Sequence, residues 1–399
     1  MDKKPEKLVP EVRFKGFTDD WEQRKLRKVA CINPKTNIPD NFKYVDLESV
    51  VGTSLIKAKL TTKQLAPSRA QRVAKKGDIF YQTVRPYQKN NFLFDINNYD
   101  FQYVFSTGYA QLRSEINNYF LFSYLQRQRF VNLILRRSTG TSYPAISSKD
   151  LSEIKIIFPR NSKEQENIGK IINLIDALIT LQQRKLKQLK QLKKAMLQQL
   201  FVDKNCKQPI LRFKNFNDNW EERKLSDIAN YRNGKAHEQY IDMNGIYTVV
   251  NSKFISTNGK VKKFSNKPIE LLKKGEIAFV LSDVPNGKAL AKTYLIDSDN
   301  KYSLNQRIAG ITPSSDINSY FLYILMNRNR YFLKFDDDVG QTNLSKKDIE
   351  KFKENYPLFD EQQKIANLFS KIQTLITRQQ NKLNQLIALK KYLLQNLFI

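Results

Sequence analysis

Two stretches of the chain, residues 164–201 and 361–398, repeat apolar side chains every three or four positions and contain no proline. Gly169 is their only glycine, and both stretches are rich in Leu, Ile, Lys and Gln, which are compatible with helix. Each stretch is predicted to form one helix roughly 57 Å long, at 1.5 Å per residue. Its apolar stripe must be buried against another helix.

The stripes of the two predicted helices are interrupted at the same place. With Ile168 and Ile365 taken as position a, the a positions are Ile168, Ile175, Gln182 and Leu189 in the first helix and Ile365, Ile372, Gln379 and Leu386 in the second. Position d holds Ile171, Leu178, Lys185 and Leu192 in the first helix and Leu368, Leu375, Lys382 and Leu389 in the second. Leu186 and Leu383, at position e, carry the stripe past the polar interruption.

A polar residue inside an apolar seam costs stability but fixes the register of pairing. We therefore expect the two helices to form an antiparallel coiled coil within one chain, with Gln182 beside Gln379. Pairing between two chains is the alternative.

Shorter apolar runs predict mixed secondary structure in the rest of the chain. Residues 154–158, 246–250 and 277–281 are rich in β-branched and aromatic side chains and are predicted strands. Residues 119–125 and 320–326 have a helical pattern. The predicted fold class is α+β, with two globular domains joined and spaced by two long antiparallel coiled-coil helices.

The chain is an internal duplication, because three blocks recur in the same order. VRFKGFTDDWEQRKL at 12–26 returns as LRFKNFNDNWEERKL at 211–225, and KKGDIFYQ at 75–82 returns as KKGEIAFV at 273–280. ISSKDLSEIKIIFP at 146–159 matches LSKKDIEKFKENYP at 344–357, and a long predicted helix follows each copy. Trp21 and Trp220, the only tryptophans, are predicted packing anchors.

The repeat divides the chain into four parts. We expect a globular domain at 1–160, a helix at 161–201, a second globular domain at 202–357 and a second helix at 358–399. The two copies are similar at their borders and differ in their middles. This pattern is expected of two adaptors that share one shape and read different things.

The charge balance indicates a polyanionic partner. The chain has 68 Lys and Arg against 39 Asp and Glu, a net charge of +29. A protein that neutralises phosphates releases condensed counterions, so an excess of this size favours nucleic acid. A general bias towards lysine, with a merely solvated surface, is the alternative.

No pattern in the sequence predicts catalysis, a metal site or a membrane segment. We find neither a phosphate-binding loop nor a methyltransferase motif, and Cys31 and Cys206 have no metal-ligand spacing. The single histidine, His237, is expected at the surface or facing DNA, and Asp336–Asp338 in an exposed turn. Without a signal-like start or an apolar run of 18 residues, the protein is expected to be cytoplasmic.

The duplicated blocks resemble the specificity subunit of type I restriction-modification systems, over essentially the whole chain. The resemblance rests on the paired F-x-x-F-x-x-x-W-E-x-[RK]-K-L openings at 14–26 and 213–225 and on the paired S-x-K-D-[LI] segments at 147–151 and 345–349. Each S-x-K-D-[LI] segment runs on to a proline and then to Glu-Gln before a long helix. The first copy is one residue longer there.

This resemblance implies a non-catalytic subunit that recognises double-stranded DNA. In such a family two target-recognition domains each read half of a split target, and the long helices set the gap and dock two modification subunits. Those partners methylate adenine with S-adenosylmethionine, and restriction subunits cut DNA with ATP and Mg²⁺. No cofactor is expected on this chain itself.

Candidate DNA-contacting residues lie in two loops of each domain, which combine hydrogen-bonding tips, cations and glycine. In the first domain they are Gln82, Thr83, Arg85, Tyr87, Gln88 and Lys89, followed by Thr139, Thr141 and Ser142. In the second domain they are Ser282, Asn286 and Lys288, followed by Gln341, Thr342 and Asn343, and Asn251 and Lys253 are further candidates outside these two loops. The alternatives are a solvated loop after a strand and a loop that caps the next helix.

Three other functions also fit parts of the sequence. A stand-alone, two-headed DNA-binding regulator would need no partner and would bind its site tightly alone. A nuclease would cleave DNA with Mg²⁺, although we find no convincing carboxylate and lysine constellation for it. An RNA-binding scaffold fits the charge but leaves the duplicated helices unexplained.

Overall fold

The computed structural model describes residues 8–202, 206–284, 287–336 and 340–399. The chain forms two compact units. Unit 1 comprises residues 1–185 and 379–399, and unit 2 comprises residues 186–378. Each long helix therefore contributes one part to each unit.

Unit 1 mixes short strands with helices. Its strands are β1 (Glu22–Lys25), β2 (Ala30–Ile32), β3 (Asn41–Val45), β4 (Val50–Val51), β5 (Ser54–Leu55), β6 (Lys59–Thr62), β7 (Ala70–Val73), β8 (Ile79–Gln82), β9 (Phe92–Leu93), β10 (Tyr103–Ser106), β11 (Tyr109–Ser114) and β12 (Lys155–Phe158). Its helices are α1 (Asn118–Leu125), α2 (Gln128–Leu135), α3 (Ser148–Ser152) and the first part of α4 (Ser162–Leu200). The sheet orders are β6-β3-β10-β7 and β2-β11-β8-β9, with the separate pairs β1-β12 and β4-β5.

Unit 2 has a similar succession of elements. Its strands are β13 (Glu221–Lys224), β14 (Ala229–Asn233), β15 (Tyr247–Val250), β16 (Phe264–Ser265), β17 (Ile277–Val280), β18 (Ser282–Asp283), β19 (Thr293–Leu295), β20 (Tyr302–Leu304), β21 (Ile308–Pro313), β22 (Thr342–Asn343) and β23 (Lys353–Tyr356). Its helices are α5 (Leu225–Ile228), α6 (Ser252–Ser256), α7 (Ser319–Met326), α8 (Arg330–Leu333), α9 (Lys346–Glu350) and the first part of α10 (Phe359–Asn396). The sheet orders are β14-β21-β17-β19 and β16-β15-β20, with the pairs β13-β23 and β18-β22.

The strands and helices predicted from the shorter apolar runs are present, with ends that differ by at most a residue. Local capping explains where several helices begin. The Asn117 side chain accepts a hydrogen bond from the Phe120 amide at the start of α1, and Asn318 does the same for Phe321 in α7. Ser147 and Ser345, from the paired S-x-K-D segments, cap α3 and α9. An oxygen at this position satisfies amides that have no partner within the helix.

The recurrent opening block is held to the start of the long helix by a buried ion pair. Arg13 donates to Glu164 through Nε at 2.7 Å and Nη2 at 2.9 Å, and Arg212 makes the same bidentate pair with Glu361. Both glutamates are 1% exposed. The arginine of the opening block and the glutamate at the start of the long helix therefore occur together in both copies. A buried carboxylate needs its cation, because a buried charge without a partner is strongly destabilising.

The two tryptophans are packing anchors, as the sequence predicts. Trp21 is 2% exposed and Trp220 is 3% exposed, each in the largest apolar cluster of its unit. The strand that follows each tryptophan pairs antiparallel with the strand that follows the S-x-K-D segment, β1 with β12 and β13 with β23. The first and third recurrent blocks therefore lie side by side in both units.

The KKG segments form the tight turns that the sequence predicts before β8 and β17. Gly77 has φ +90° and Gly275 has φ +88°, a backbone conformation that residues with a Cβ rarely adopt. The acid after each glycine closes its own turn, since Asp78 accepts from the Lys75 amide and Glu276 accepts from the Lys273 amide.

The two long helices run antiparallel within each unit. In unit 1, Ile168, Ile172 and Ile175 of α4 share an apolar cluster with Leu393 of α10. In unit 2, Leu200 of α4 shares a cluster with Ile365, Ala366 and Phe369 of α10.

The predicted contact between Gln182 and Gln379 is also confirmed. The Gln379 amide donates to the Gln182 side chain, and Gln182 is buried. Both residues belong to unit 1.

The predicted d positions of the long helices are only partly right. Ile171 and Leu368 are partly buried and pack against the apolar clusters, as predicted. Leu192, Leu375 and Leu389 are 43–49% exposed. The buried positions one residue further along are Ile172, Leu186 and Leu200 in α4, Phe369 and Leu383 in α10, and Leu397 just beyond the end of α10. The spacing of four and then three residues is that of a heptad seam, but it starts from a different phase than the sequence suggested. The predicted a positions stay on the seam, as Ile168, Ile175, Ile365 and Ile372 are buried.

His237 is not a surface residue, contrary to the sequence-based expectation. It is 1% exposed, with its Nδ1 2.7 Å from the Lys235 carbonyl oxygen and its Nε2 2.7 Å from Ser303 Oγ. Two local partners satisfy both ring nitrogens, so the ring can be buried without leaving a polar atom unpaired. In the predicted acidic turn, Asp337 and Asp338 lie outside the described residues.

Within the described ranges, no helix is long and apolar enough to cross a bilayer. The same residues contain no cluster of three or more His, Cys, Asp or Glu side chains that could hold a metal ion.

Candidate nucleic-acid interface

The two candidate loops of unit 1, predicted separately, lie against each other. Val84 forms an isolated antiparallel bridge with Ala145, and the Ile146 amide donates to the Thr83 carbonyl oxygen at 3.0 Å. The Arg85 amide donates to the Pro144 carbonyl oxygen at 2.7 Å. The segment after β8 and the segment before α3 therefore form one surface.

Arg85 is held in an unusual backbone conformation on this surface. Its φ is +53° and its ψ is +55°, a left-handed conformation that is costly for a residue with a Cβ. The guanidinium lies 4.2 Å from the centre of the Tyr143 ring, and Tyr143 belongs to the second loop. Among the described residues the guanidinium has neither a hydrogen-bond nor an ion-pair partner. Its N–H groups are therefore available to a ligand.

Gln82 and Thr83 support this surface from beneath. Gln82 is 2% exposed, its Nε2 donates to Gln88 Oε1 at 3.0 Å, and its Oε1 accepts from the Asn90 amide. Thr83 is buried, and its hydroxyl donates to the Gly108 carbonyl oxygen at 2.8 Å. Both side chains bond to their neighbours, so they position the loop.

Arg85, Gln88 and Tyr143 open onto a cleft of about 700 Å³. Arg69 and Asn90, which the sequence patterns did not indicate, also line it, and Leu47, Val50 and Val51 supply an apolar wall. Asp46 also lines the cleft, but its Oδ1 accepts from Ser49 Oγ and from the Glu48 amide. Glu48 also lines the cleft and pairs with Lys57 at 3.4 Å. The cleft thus combines two arginines without an ion-pair partner among the described residues, amide groups, two carboxylates and an apolar wall. The arginines and the apolar wall suit a nucleotide.

The other candidates of unit 1 are more exposed. Tyr87 is 49% exposed, and Thr139, Thr141 and Ser142 surround the turn at Gly140, whose φ is +87°. Lys89 is half-buried, and this burial, followed by repulsion from Lys390, lowers its pKa. A lysine in this state gains from an anionic ligand.

Unit 2 brings the corresponding loops together in the same way. Ser282 and Asp283 of β18 pair antiparallel with Asn343 and Thr342 of β22. The bridge between Ser282 and Asn343 corresponds to the bridge between Val84 and Ala145 in the duplicated sequence.

The candidates on these loops of unit 2 differ in exposure. Ser282 and Thr342 are buried, whereas Lys288, Gln341 and Asn343 are exposed. Asn286 lies outside the described residues.

Asp283 takes the place that Arg85 has in unit 1, and its carboxylate is already bound. Oδ1 accepts from the Val284 amide, and Oδ2 accepts from the Ala289 and Leu290 amides. A carboxylate with three backbone partners holds the loop in shape and has little capacity left for a base. The two units therefore present different chemistry from one backbone position.

Asn251 and Lys253 lie apart from these loops in the sequence, at the start of α6. The Asn251 side chain accepts from the Phe254 amide at 2.9 Å and so caps the helix. Lys253 is exposed. The capping alternative thus accounts for the asparagine.

Both halves of the chain match one family model. Residues 18–191 and 217–388 each match the type I restriction modification DNA specificity domain. The two matches coincide with the duplication seen in the sequence.

Two curated proteins are similar to parts of this chain. The type I restriction enzyme HindI specificity subunit of Haemophilus influenzae is 25% identical over 193 residues, which is 46% of this chain and 41% of that protein. The type I restriction enzyme MjaVIII specificity subunit of Methanocaldococcus jannaschii is 27% identical over 221 residues, 50% of this chain and 49% of that protein. The chain thus spans less than half of each relative's length in these matches.

Two solved structures are similar over nearly the whole chain. The S subunit of a type I restriction-modification system from M. genitalium has a TM-score of 0.68 and 18% identity, covering 98% of this chain and 99% of that one. A chain from a structure on complex assembly and conformational transition of the type I R-M system has a TM-score of 0.53 and 19% identity, covering 95% and 97%. At these identities the likeness concerns the fold alone.

Proposed function

Since the chain belongs to the family of type I restriction modification DNA specificity domains, we propose that it is a specificity subunit that binds a split sequence in double-stranded DNA. Each unit reads one half of that target through its paired loops. The net charge of +29 supports a polyanionic ligand.

The observation that carries this proposal is the pair of equivalent loop contacts with different side chains. Val84 with Ala145 and Ser282 with Asn343 form the same bridge in the two units. The next residue in one unit is Arg85, whose guanidinium has no hydrogen-bond or ion-pair partner in the described part of the chain. In the other unit it is Asp283, whose carboxylate accepts from three backbone amides. Two units that share a backbone arrangement but differ in the side chains it presents are suited to recognise two different half-sites.

The long helices serve as spacer and docking surface in this proposal. α4 and α10 each extend through parts of both units and run antiparallel in each. We propose that together they form a coiled coil that sets the gap between the half-sites and docks two modification subunits.

The chain itself is non-catalytic in this proposal. S-adenosylmethionine for adenine methylation, and ATP with Mg²⁺ for cleavage, belong to the modification and restriction subunits. The stand-alone regulator remains the alternative, and it is distinguished by tight binding without partners.

Methylome sequencing tests the proposed function directly. A cell that expresses this chain with its modification subunits should gain methyl-adenine in one split motif, and a cell that lacks this chain should not. Methylation at unrelated positions, or none at all with all subunits present, would contradict the proposal. Purified chain that binds the motif equally tightly with and without partners would favour the regulator.

A further inference from the structure

A basic groove in unit 1 lies beside the paired loops and shares only Lys89 with their candidate residues. It measures about 640 Å³ and lies between the start of α2 and the last turns of α10. Five cations line it: Lys89, Arg127, Arg129, Lys390 and Lys391. Its other lining residues are polar amides and apolar side chains, without a carboxylate side chain among them.

The cations of the groove are largely uncompensated. Lys390 pairs with Asp176 at 2.5 Å, whereas Lys89, Arg129 and Lys391 have no ion-pair partner in the described part of the chain. Arg127 is 6% exposed and donates part of its guanidinium N–H groups to the main-chain oxygens of Tyr124 and Ile399. Cations gathered in this way repel each other, and an anion would relieve that repulsion.

Helix α2 adds its own positive end to the groove. Its N-cap residue is Arg127, and no side chain caps the first amides of the helix. The neighbouring Gln126 is 7% exposed, and its buried Nε2 has no hydrogen-bond partner among the residues that the structure describes. Free amides and unpaired donors beside a cationic cluster favour an anion.

The second copy of the repeat has the same basic and amide residues at the positions that correspond to this groove, whereas the reading loops of the two copies differ. Gln126-Arg127-Gln128-Arg129 corresponds to Asn327-Arg328-Asn329-Arg330 in the duplicated sequence, and Lys390-Lys391 corresponds to Lys193-Lys194. Residues shared by two readers of different half-sites cannot specify either half-site. Such residues suit a part of the DNA that is the same in both half-sites.

We propose that this groove binds the sugar-phosphate backbone of the duplex beside the half-site that unit 1 reads. This inference rests on the proposed function. Lys89 links the two surfaces, because it ends the candidate loop that contains Arg85 and also lines the groove. Phosphate contacts of this kind position a protein on DNA without reading its sequence.

The test removes two exposed charges from the groove with Arg129→Gln and Lys391→Gln together. The control removes two exposed charges from the same unit with Lys163→Gln and Lys170→Gln, which lie on α4 outside the groove. The full chain, alone and with its modification subunits, is titrated against cognate and scrambled duplexes at several salt concentrations. The groove variant should bind both duplexes more weakly by the same factor. Its salt slope should fall by about 1.8, which is about 0.9 for each phosphate that the variant no longer neutralises.

A second measurement uses the unaltered protein. Bound duplex should protect Lys89 and Lys391 from acetylation, as read by mass spectrometry, and should leave Lys163 and Lys170 reactive.

The possible outcomes separate the two proposals. If the unaltered complex shows no preference for its motif, the proposed function fails. If it binds the motif but the groove variant keeps the salt slope and Lys391 stays reactive, only the groove inference fails. If the variant loses its modification subunits while binding scrambled duplex as before, the groove is a protein-docking surface and the inference is overturned.

Discussion

Arg85 concentrates the chemistry of the proposed reading surface in one side chain. Stacking on Tyr143 at 4.2 Å restricts the guanidinium while leaving its N–H groups unpaired among the described residues. An arginine prepared in this way suits the two acceptors that guanine presents in the major groove. The left-handed backbone at Arg85 is a local cost that fits a functional position.

Replacing Arg85 should therefore relax specificity at a single base pair. Arg85→Ala is expected to cost about 1–3 kcal/mol on the cognate duplex and to reduce discrimination at one position of one half-site. Binding to a panel of duplexes with single base-pair changes measures this. Tyr143→Phe, which keeps the ring, is the control and should bind nearly as the unaltered chain does. An equal loss for every sequence would make Arg85 a phosphate contact.

The buried pair of Arg13 with Glu164 shows a different use of charge. Arg13→Ala leaves a carboxylate that is 1% exposed without its cation, and we expect a loss of about 3 kcal/mol in unfolding free energy. Lys57→Ala is the control, because its pair with Glu48 is largely exposed and should contribute less than about 1 kcal/mol. Urea unfolding measures both, and equal losses would contradict the assignment.

At the scale of elements, the antiparallel helices are the common framework of the two copies. Gln182 and Gln379 meet inside the seam, where the Gln379 side-chain amide donates to the Gln182 side chain, and this polar contact disfavours a shifted register. Leucines in both places would bury more apolar surface but would remove this constraint.

A crosslink can test the intramolecular pairing of these helices. With Cys31 and Cys206 replaced by Ser, Gln182→Cys and Gln379→Cys together should be joined by a short bis-maleimide within one chain. A mobility shift of the monomer in a denaturing gel reports this product. The matched pair Lys187→Cys and Gln379→Cys should react less. Crosslinked dimers alone would show that the helices pair between chains.

For the whole molecule, the proposed spacer predicts how the target should change with helix length. One heptad inserted after Gln182 and another after Gln379 lengthen both helices by about 10.5 Å and keep the seam in phase. The gap between methylated half-sites should then widen by about three base pairs, at about 3.4 Å per step. Methylome sequencing reads the gap, and an insertion in α4 alone is the control. An unchanged gap would exclude the spacer.

The sequence alone was enough to predict the duplication, the two long helices, the strands around the KKG turns and the matching Trp and S-x-K-D blocks. These features are local or repeated, so spacing along the chain is enough to find them. The position of leucines along the chain did not predict correctly which side of each long helix is buried. Leu192 and Leu389, which were assigned to the buried seam, are exposed.

Apart from the contact between Gln182 and Gln379, no pattern in the sequence predicted which distant residues meet, and the folded structure was needed to show this. It placed Tyr143 on Arg85, Gln82 beneath the loop, His237 in the interior and Lys390 near Lys89, because packing joins segments far apart in the chain. The three backbone amides that donate to the Asp283 carboxylate reach it only because of how its loop folds, and no pattern in the sequence predicts these hydrogen bonds. The physical reason is that periodicity records which face of an element is buried, whereas a site is defined by what the opposing elements bring to it.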